Sequence, residues 1–175
     1  MTRLVVLRGP SGSGKSTVAR RLFERASEPT CILHQDHYRF IFKPAGGGSR
    51  ANSGTIHRMI EHNVLSALED GYDVVLEGIL SLPSYTTVLE TFFAVHDESE
   101  TFVYYFDVSL EETLRRHDSR KNASLTFDEN DMREWYSAAG PCGHSFEQLI
   151  PESSLLEETV ARICRDTGIG VEPAR

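Results

Sequence analysis

The stretch "GPSGSGKST", residues 9–17, decides the fold. It matches G-x-x-x-x-G-K-[ST] at every fixed position. Upstream, "RLVVLR" (3–8) is a short continuous apolar run, the pattern of a parallel strand buried on both faces. Downstream, "KSTVARRLFERAS" (15–27) places Val18, Leu22 and Phe23 on one helical face. A glycine-rich turn between a buried strand and a helix start is a phosphate cradle. Its backbone N–H groups turn inward, and the helix dipole adds positive charge at the same point. The expected nucleotide-binding residues are therefore Gly9, Ser11, Gly12, Ser13, Gly14, Lys15, Ser16 and Thr17. Lys15 bridges β- and γ-phosphates, Ser16 ligates Mg²⁺, and Thr17 reaches an α-phosphate.

Apolar runs and helical periods alternate along the rest of the chain. "TCILHQ" (30–35), "DVVLEG" (73–78), "TFVYYFDV" (101–108) and "FEQLI" (146–150) read as further strands. Helices are expected at 54–70, near 84–96, after Ser109, near 128–139 and over 155–166. Ser109 and Glu112 form a capping-box pattern, Ser153 or Ser154 caps the last helix, and Gly71 ends the helix of 54–70. "KPAGGGSRANSG" (43–54) reads as a loop. Five strands alternating with helices predict one α/β domain over 1–175, a parallel sheet with helices on both faces. With the cradle, the chain resembles the P-loop NTPases, and that resemblance implies the strand order 2-3-1-4-5. A small lid is expected at approximately 116–138.

Chemistry is expected at the carboxyl ends of the strands. Asp36, after strand two, is placed to accept a hydroxyl proton, or to cap a helix. Arg39, one turn later, suits an anionic group on the acceptor, and Tyr38 packs or lines the acceptor pocket. Glu77 ends strand three beside the cradle, where it holds Mg²⁺ or orients the acceptor. Asp107 has a similar address and an equal claim as a helix cap. His34 and His37 read as polar neighbours rather than ligands. In "LRRHDSRK" (114–121), Arg116 and Arg120 share a helical face, either as a lid over the triphosphate or as a basic helix end. The base of the nucleotide is expected between Arg116 and Pro151–Ser154. ATP is favoured because no N-K-x-D signature for guanine is present.

The formal charge of −8 is unhelpful for gripping long nucleic acid. The three cysteines, Cys31, Cys142 and Cys164, are odd in number and form no C-x-x-C, which fits a reducing cytoplasm. Cys142 and His144 are too close in sequence to make a convincing dyad. Leu4–Leu7 is too short for a signal-peptide core, and no stretch has the length of a membrane span. The expected location is cytoplasmic.

Taken in order, "GPSGSGKST", "QDHYR", "FDVSLEETLRRHDSR" and "DMREWY" resemble the kinase domain of the phage polynucleotide 5′-hydroxyl kinase family, over roughly residues 3–137. The chain is also similar to the zeta-toxin and chloramphenicol phosphotransferase kinases, with "VVLEG" nearer the zeta-toxin pattern. The resemblance implies ATP and metal on Lys15 and Ser16, a general base at Asp36 and an acceptor-phosphate contact at Arg39. It also implies a lid arginine at Arg120, with Arg116 one turn earlier. The chain departs from the phage enzyme in having no room for its phosphatase domain and no match at Gly46–Gly48. The expected activity is ATP-dependent phosphoryl transfer to a hydroxyl. A small molecule or metabolite ranks first as acceptor, a polynucleotide 5′ end second and a peptidoglycan-precursor sugar third. A nucleotide-dependent switch ATPase is the alternative from another class, and a degenerate binding module a further one.

Overall fold

The computed structural model describes residues 1–42, 53–82, 84–119, 129–137, 139–143 and 146–170. Five strands form one parallel sheet: β1 (Leu4–Arg8), β2 (Thr30–His34), β3 (Asp73–Gly78), β4 (Thr101–Asp107) and β5 (Glu147–Pro151). Their spatial order is β2-β3-β1-β4-β5, as expected. The helices are α1 (Lys15–Arg25), α2 (Gln35–Phe40), α3 (Ser53–Glu69), α4 (Thr86–Val95), α5 (Leu110–Asp118), α6 (Glu129–Ser137) and α7 (Leu156–Thr167). Among the described residues, no helix is long and apolar enough to cross a membrane.

β1 is central because its residues are apolar on both faces. Leu4 and Val6 join one core with Ile60, Val64, Leu76 and Phe92, under α3 and α4. Val5 and Leu7 join the other with Val18, Leu22, Val160 and Ile163, under α1 and α7. Each fully buried side chain of this kind stabilises the fold by about 1.5–3 kcal/mol. On α1 the buried stripe is Val18, Ala19 and Leu22, whereas Phe23 is 47% exposed. The i, i+1, i+4 set faces the sheet, and Phe23 falls past its edge.

Three caps differ from the sequence expectation. The Ser109 hydroxyl accepts the Glu112 N–H at 3.2 Å, as half of a capping box does. The other half is missing, because the Ser109 N–H donates to Glu152 and the Glu112 carboxylate accepts from Arg115 and Arg116. Asp107 is exposed at the strand end, two residues before the cap at Ser109. At α7 neither Ser153 nor Ser154 caps the helix. The Ser154 N–H closes a turn onto the Pro151 carbonyl, and the Leu155 N–H donates to Glu158. Gly71 behaves as expected: at φ +88° its N–H returns to the Leu68 carbonyl, and the Tyr72 N–H reaches Ala67.

Arg8, the last residue of β1, is fully buried. Its guanidinium pairs with Glu147 of β5 and donates to the Gly140 carbonyl at 2.9 Å. It also donates to the Leu80 carbonyl from two nitrogens and lies 5.3 Å from the centre of the Tyr105 ring. One side chain beside the cradle thus joins β1, β5, the loop after β3 and the segment after α6.

Candidate active site

The cradle follows β1 without a spacer. Gly9, Gly12 and Gly14 all have positive φ. At Gly9 a Cβ would stand 2.9 Å from the Phe106 carbonyl oxygen, so the conformation and the space both require glycine. The Lys15 side chain is buried and folds back over the loop, donating to the Pro10 carbonyl at 2.7 Å and the Ser13 hydroxyl at 3.1 Å. Ser16 and Thr17 open α1, whose Thr17 and Val18 N–H groups return to Gly14.

Two cavities meet at Gly14 and Thr17. The more polar one, about 510 Å³, is lined by Gly12, Lys15, Ser16, Arg20 and His34 among others. The more apolar one, about 270 Å³, lies between Arg116 and the Pro151–Leu156 turn. Arg116 spans both sides of this second cavity. It donates to the Ser13 carbonyl of the cradle at 3.0 Å and to the Glu152 carbonyl at 3.5 Å, while Glu112 fixes its Nε at 2.6 Å. Arg115 and Arg116 together hold the Glu112 carboxyl down to about 2.

Parallel pairing sets His34 and Leu7 on either side of Glu77. The Glu77 carboxylate is nearly buried and 2.6 Å from His34 Nδ1. Burial alone would raise its pKa. The His34 hydrogen bond, the Lys15 charge and the Ser16 hydroxyl together bring it below the usual carboxylate range. In return the Glu77 hydrogen bond raises the His34 pKa, against the lowering effect of burial. Ser16 and Glu77 therefore form a hard-oxygen pair next to a phosphate cradle, a donor set that suits Mg²⁺, which uses few protein ligands and completes its shell with phosphates and water. Among the described residues, no three of His, Cys, Asp or Glu converge as a self-sufficient metal cage.

β2 passes directly into α2, so Asp36 stands in the first turn of that helix. Its side chain is 60% accessible, and the surrounding protein desolvates the carboxyl in part. Burial raises its pKa, Glu77 adds to the rise, and Arg39, Lys15 and His34 oppose it. Asp36 therefore lies within the electrostatic reach of both the cradle lysine and the strand-three carboxylate. Arg39 Nη1 is 3.5 Å from Asp36 Oδ1, and its guanidinium lies over Trp135 of α6 at 5.3 Å. Tyr38 instead turns into the core, where its hydroxyl accepts from Asn63 at 3.0 Å; it supports α2 from behind rather than facing the cleft. Arg120 and Gly46–Gly48 lie outside the described residues, as do His144 and part of the expected lid.

His34 is a polar neighbour, here of Glu77, whereas Gln35 was not singled out in the sequence. The buried Gln35 amide donates to the Tyr85 hydroxyl at 2.9 Å and accepts the Leu80 N–H at 3.2 Å. Leu80 itself holds a left-handed φ of +44°, fixed from both sides by Gln35 and Arg8. "HQD" after a strand was the available signal, but its meaning depended on what β3 brings alongside.

Fold and cradle together define a P-loop, nucleotide-binding protein on the frame of the P-loop kinases. The AAA domain family (AAA_33) matches residues 4–142, and the chain belongs to it. No curated protein matches the sequence. Among solved structures, an unliganded sugar kinase from Janibacter sp. HTCC2649 aligns at TM-score 0.75 and 15% identity, over 97% of this chain and 96% of that one. The APS kinase CysC of Mycobacterium tuberculosis, in complex with AMPPNP and APS, aligns at 0.69 and 20% identity, over 95% and 98%. A chain of the Pnkp1/Rnl/Hen1 RNA repair complex aligns at 0.59 and 23% identity, over 79% of this chain and 44% of that one.

Proposed function

We propose that the protein is an ATP-dependent kinase that moves the γ-phosphoryl group to a hydroxyl of a small molecule. The observation that carries this reading is Asp36. It is a carboxylate whose pKa is raised, standing after β2 within electrostatic reach of the cradle lysine and Glu77 and paired with Arg39. A hydrolytic switch needs a residue that orients water, whereas a carboxylate paired with an arginine after strand two suits a hydroxyl acceptor.

In this reading Lys15 leaves its loop contacts for the β- and γ-phosphates, and the glycine-opened N–H groups hold the remaining oxygens. Ser16 and Glu77 hold Mg²⁺, which when bound neutralises phosphate charge. The base of ATP occupies the apolar cavity beside Arg116 and Pro151–Ser154, and adenine is favoured by the absence of N-K-x-D. Asp36 accepts the acceptor's hydroxyl proton as the new oxygen–phosphorus bond forms and the β–γ bridging bond breaks, so that ADP leaves with the bridging electrons. Arg116 and Arg120 offset charge on the transferred group. The acidic balance of the chain favours a small acceptor. The likeness to sugar and APS kinases agrees with it.

A 5′-hydroxyl polynucleotide is the second reading, favoured by Arg39 beside Asp36 and by the likeness to the RNA repair chain. One assay separates the readings: transfer from γ-labelled ATP to a 5′-hydroxyl oligonucleotide and to hydroxylated metabolites, with wild type and Asp36→Asn in parallel. Label on a metabolite, lost in the variant while ATP still binds, is the expected result. Label confined to the oligonucleotide selects the second reading. Wild-type transfer by Asp36→Asn overturns the base assignment.

A further inference from the structure

α6 is only nine residues long, yet its inner face touches three parts of the site. Met132 is buried, with its methyl 3.4 Å from where a Gly12 Cβ would stand. The Tyr136 hydroxyl donates to the Val108 carbonyl at 3.2 Å, at the end of β4. The Trp135 ring lies under the Arg39 guanidinium of α2. Spacings of three and four put these side chains on one face, so α6 bridges the phosphate loop and the acceptor-side helix.

The way Arg39 is held matters. The guanidinium carbon lies over the indole ring of Trp135, 5.3 Å from its centre, and over the Phe40 ring at 5.9 Å. A guanidinium donates only in its plane, so stacking consumes none of its N–H groups. One edge already points to Asp36 at 3.5 Å, and the side chain remains 22% exposed. Without the ring, a long and mobile side chain would have to be ordered anew each time an acceptor bound.

We propose that Trp135 is a positioning residue for the acceptor. It fixes the guanidinium of Arg39 with its donor edge beside Asp36 and, through Met132 on the same helix, ties that arm to the phosphate loop. The inference rests on the kinase reading in taking Asp36 and Arg39 as acceptor-side groups. Trp135 acts through Arg39 and touches no reacting atom. The stack is lost in Trp135→Leu and largely kept in Trp135→Phe.

Because the chain has a single tryptophan, its emission reports this position alone. Arg39→Gln is expected to change Trp135 emission and to increase quenching by acrylamide. In steady-state transfer from ATP, using whichever oligonucleotide or metabolite the wild type labels, Trp135→Leu is expected to raise the acceptor KM by roughly two- to thirtyfold. The KM for ATP should stay fixed, and Trp135→Phe should recover most of the loss. Equal shifts in both KM values, or identical behaviour of Leu and Phe, overturn the proposal. So does an Arg39→Gln protein whose emission and quenching match the wild type. A wild type that labels no acceptor counts against the kinase reading instead, and the emission of Arg39→Gln still decides whether the stack exists.

Discussion

Replacing Glu147 by Gln tests the buried junction behind the cradle. Arg8 and Glu147 have side chains only 0% and 2% accessible, so neither charge has water as an alternative partner. Both carboxylate oxygens of Glu147 are in use. One accepts from Arg8 Nη1, and the other accepts the Cys142 N–H at 2.5 Å. Glutamine offers a single acceptor oxygen, so its amide nitrogen must face one of these donors. The substitution also leaves Arg8 with two carbonyls and the Tyr105 face but no counter-charge. Removing one partner of a buried pair costs about 3–5 kcal/mol. With a urea m-value of about 2 kcal/mol/M, the midpoint should fall by about 1.5–2.5 M while m stays constant. Equilibrium unfolding followed by far-UV circular dichroism measures this directly. Arg8→Met combined with Glu147→Leu removes both charges and should recover at least half of the loss. A midpoint shift below about 0.5 M in Glu147→Gln is the behaviour of an exposed ion pair, and would refute the argument that this junction is dry.

Gly12→Ala forces a side chain into φ +81° with its Cβ 3.0 Å from the Thr113 carbonyl oxygen, a backbone atom that cannot swing away. The expected cost of about 1–2 kcal/mol should lower the melting temperature by about 2–8 °C and weaken ATP binding, read by calorimetry. Ser109→Ala removes the acceptor of the Glu112 N–H and a 2.7 Å bond to Glu152. A loss of about 1 kcal/mol is expected, or about 2–4 °C in the melting temperature. For pH dependence, the proposed role of Asp36 as base requires it unprotonated, and its pKa is raised. The acidic limb of kcat/KM for the acceptor should therefore fall at a pH above the ordinary aspartate value of about 3.9, and drop tenfold per unit below it. Arg39→Gln removes a charge that lowers this pKa and should move the limb higher. A limb at or below the ordinary value contradicts the assignment.

The parts of this molecule legible in its sequence are those whose physics is local. The cradle was readable because strand, glycines, lysine and helix start are contiguous, and its geometry needs nothing from distant residues beyond room. The parallel sheet followed from the alternation of buried runs with helical periods, and its strand order from the likeness of the cradle to P-loop NTPases. Asp36 could be placed at a strand end, but its electrostatic surroundings could not, since they depend on the register that sets Glu77 beside His34. Arg8 was read as a strand end, and nothing adjacent marks it as buried, because its carboxylate partner lies 139 residues further on. Trp135 could be assigned to a helix, yet its contact with Arg39 follows from how α6 returns across the cleft. Tyr38 had two readings on a six-residue helix too short for its period to decide which face is inward. Asn63, on α3, resolves the choice.

The junction of β2 and α2 contains no loop: His34 ends the strand and Gln35 begins the helix. Gln35 is locked between Leu80 and Tyr85 at 3.2 and 2.9 Å, and Gly78 leaves it room where any Cβ would stand 2.5 Å away. Asp36 is thus bolted to the sheet, with its tolerance set by a strand rather than by a connecting segment. On the proposed kinase reading, retuning the protein toward a different acceptor should leave this joint alone. The productive changes lie on the outward surface of α2 and on the facing side of α6, where a side chain can be exchanged without displacing the carboxylate.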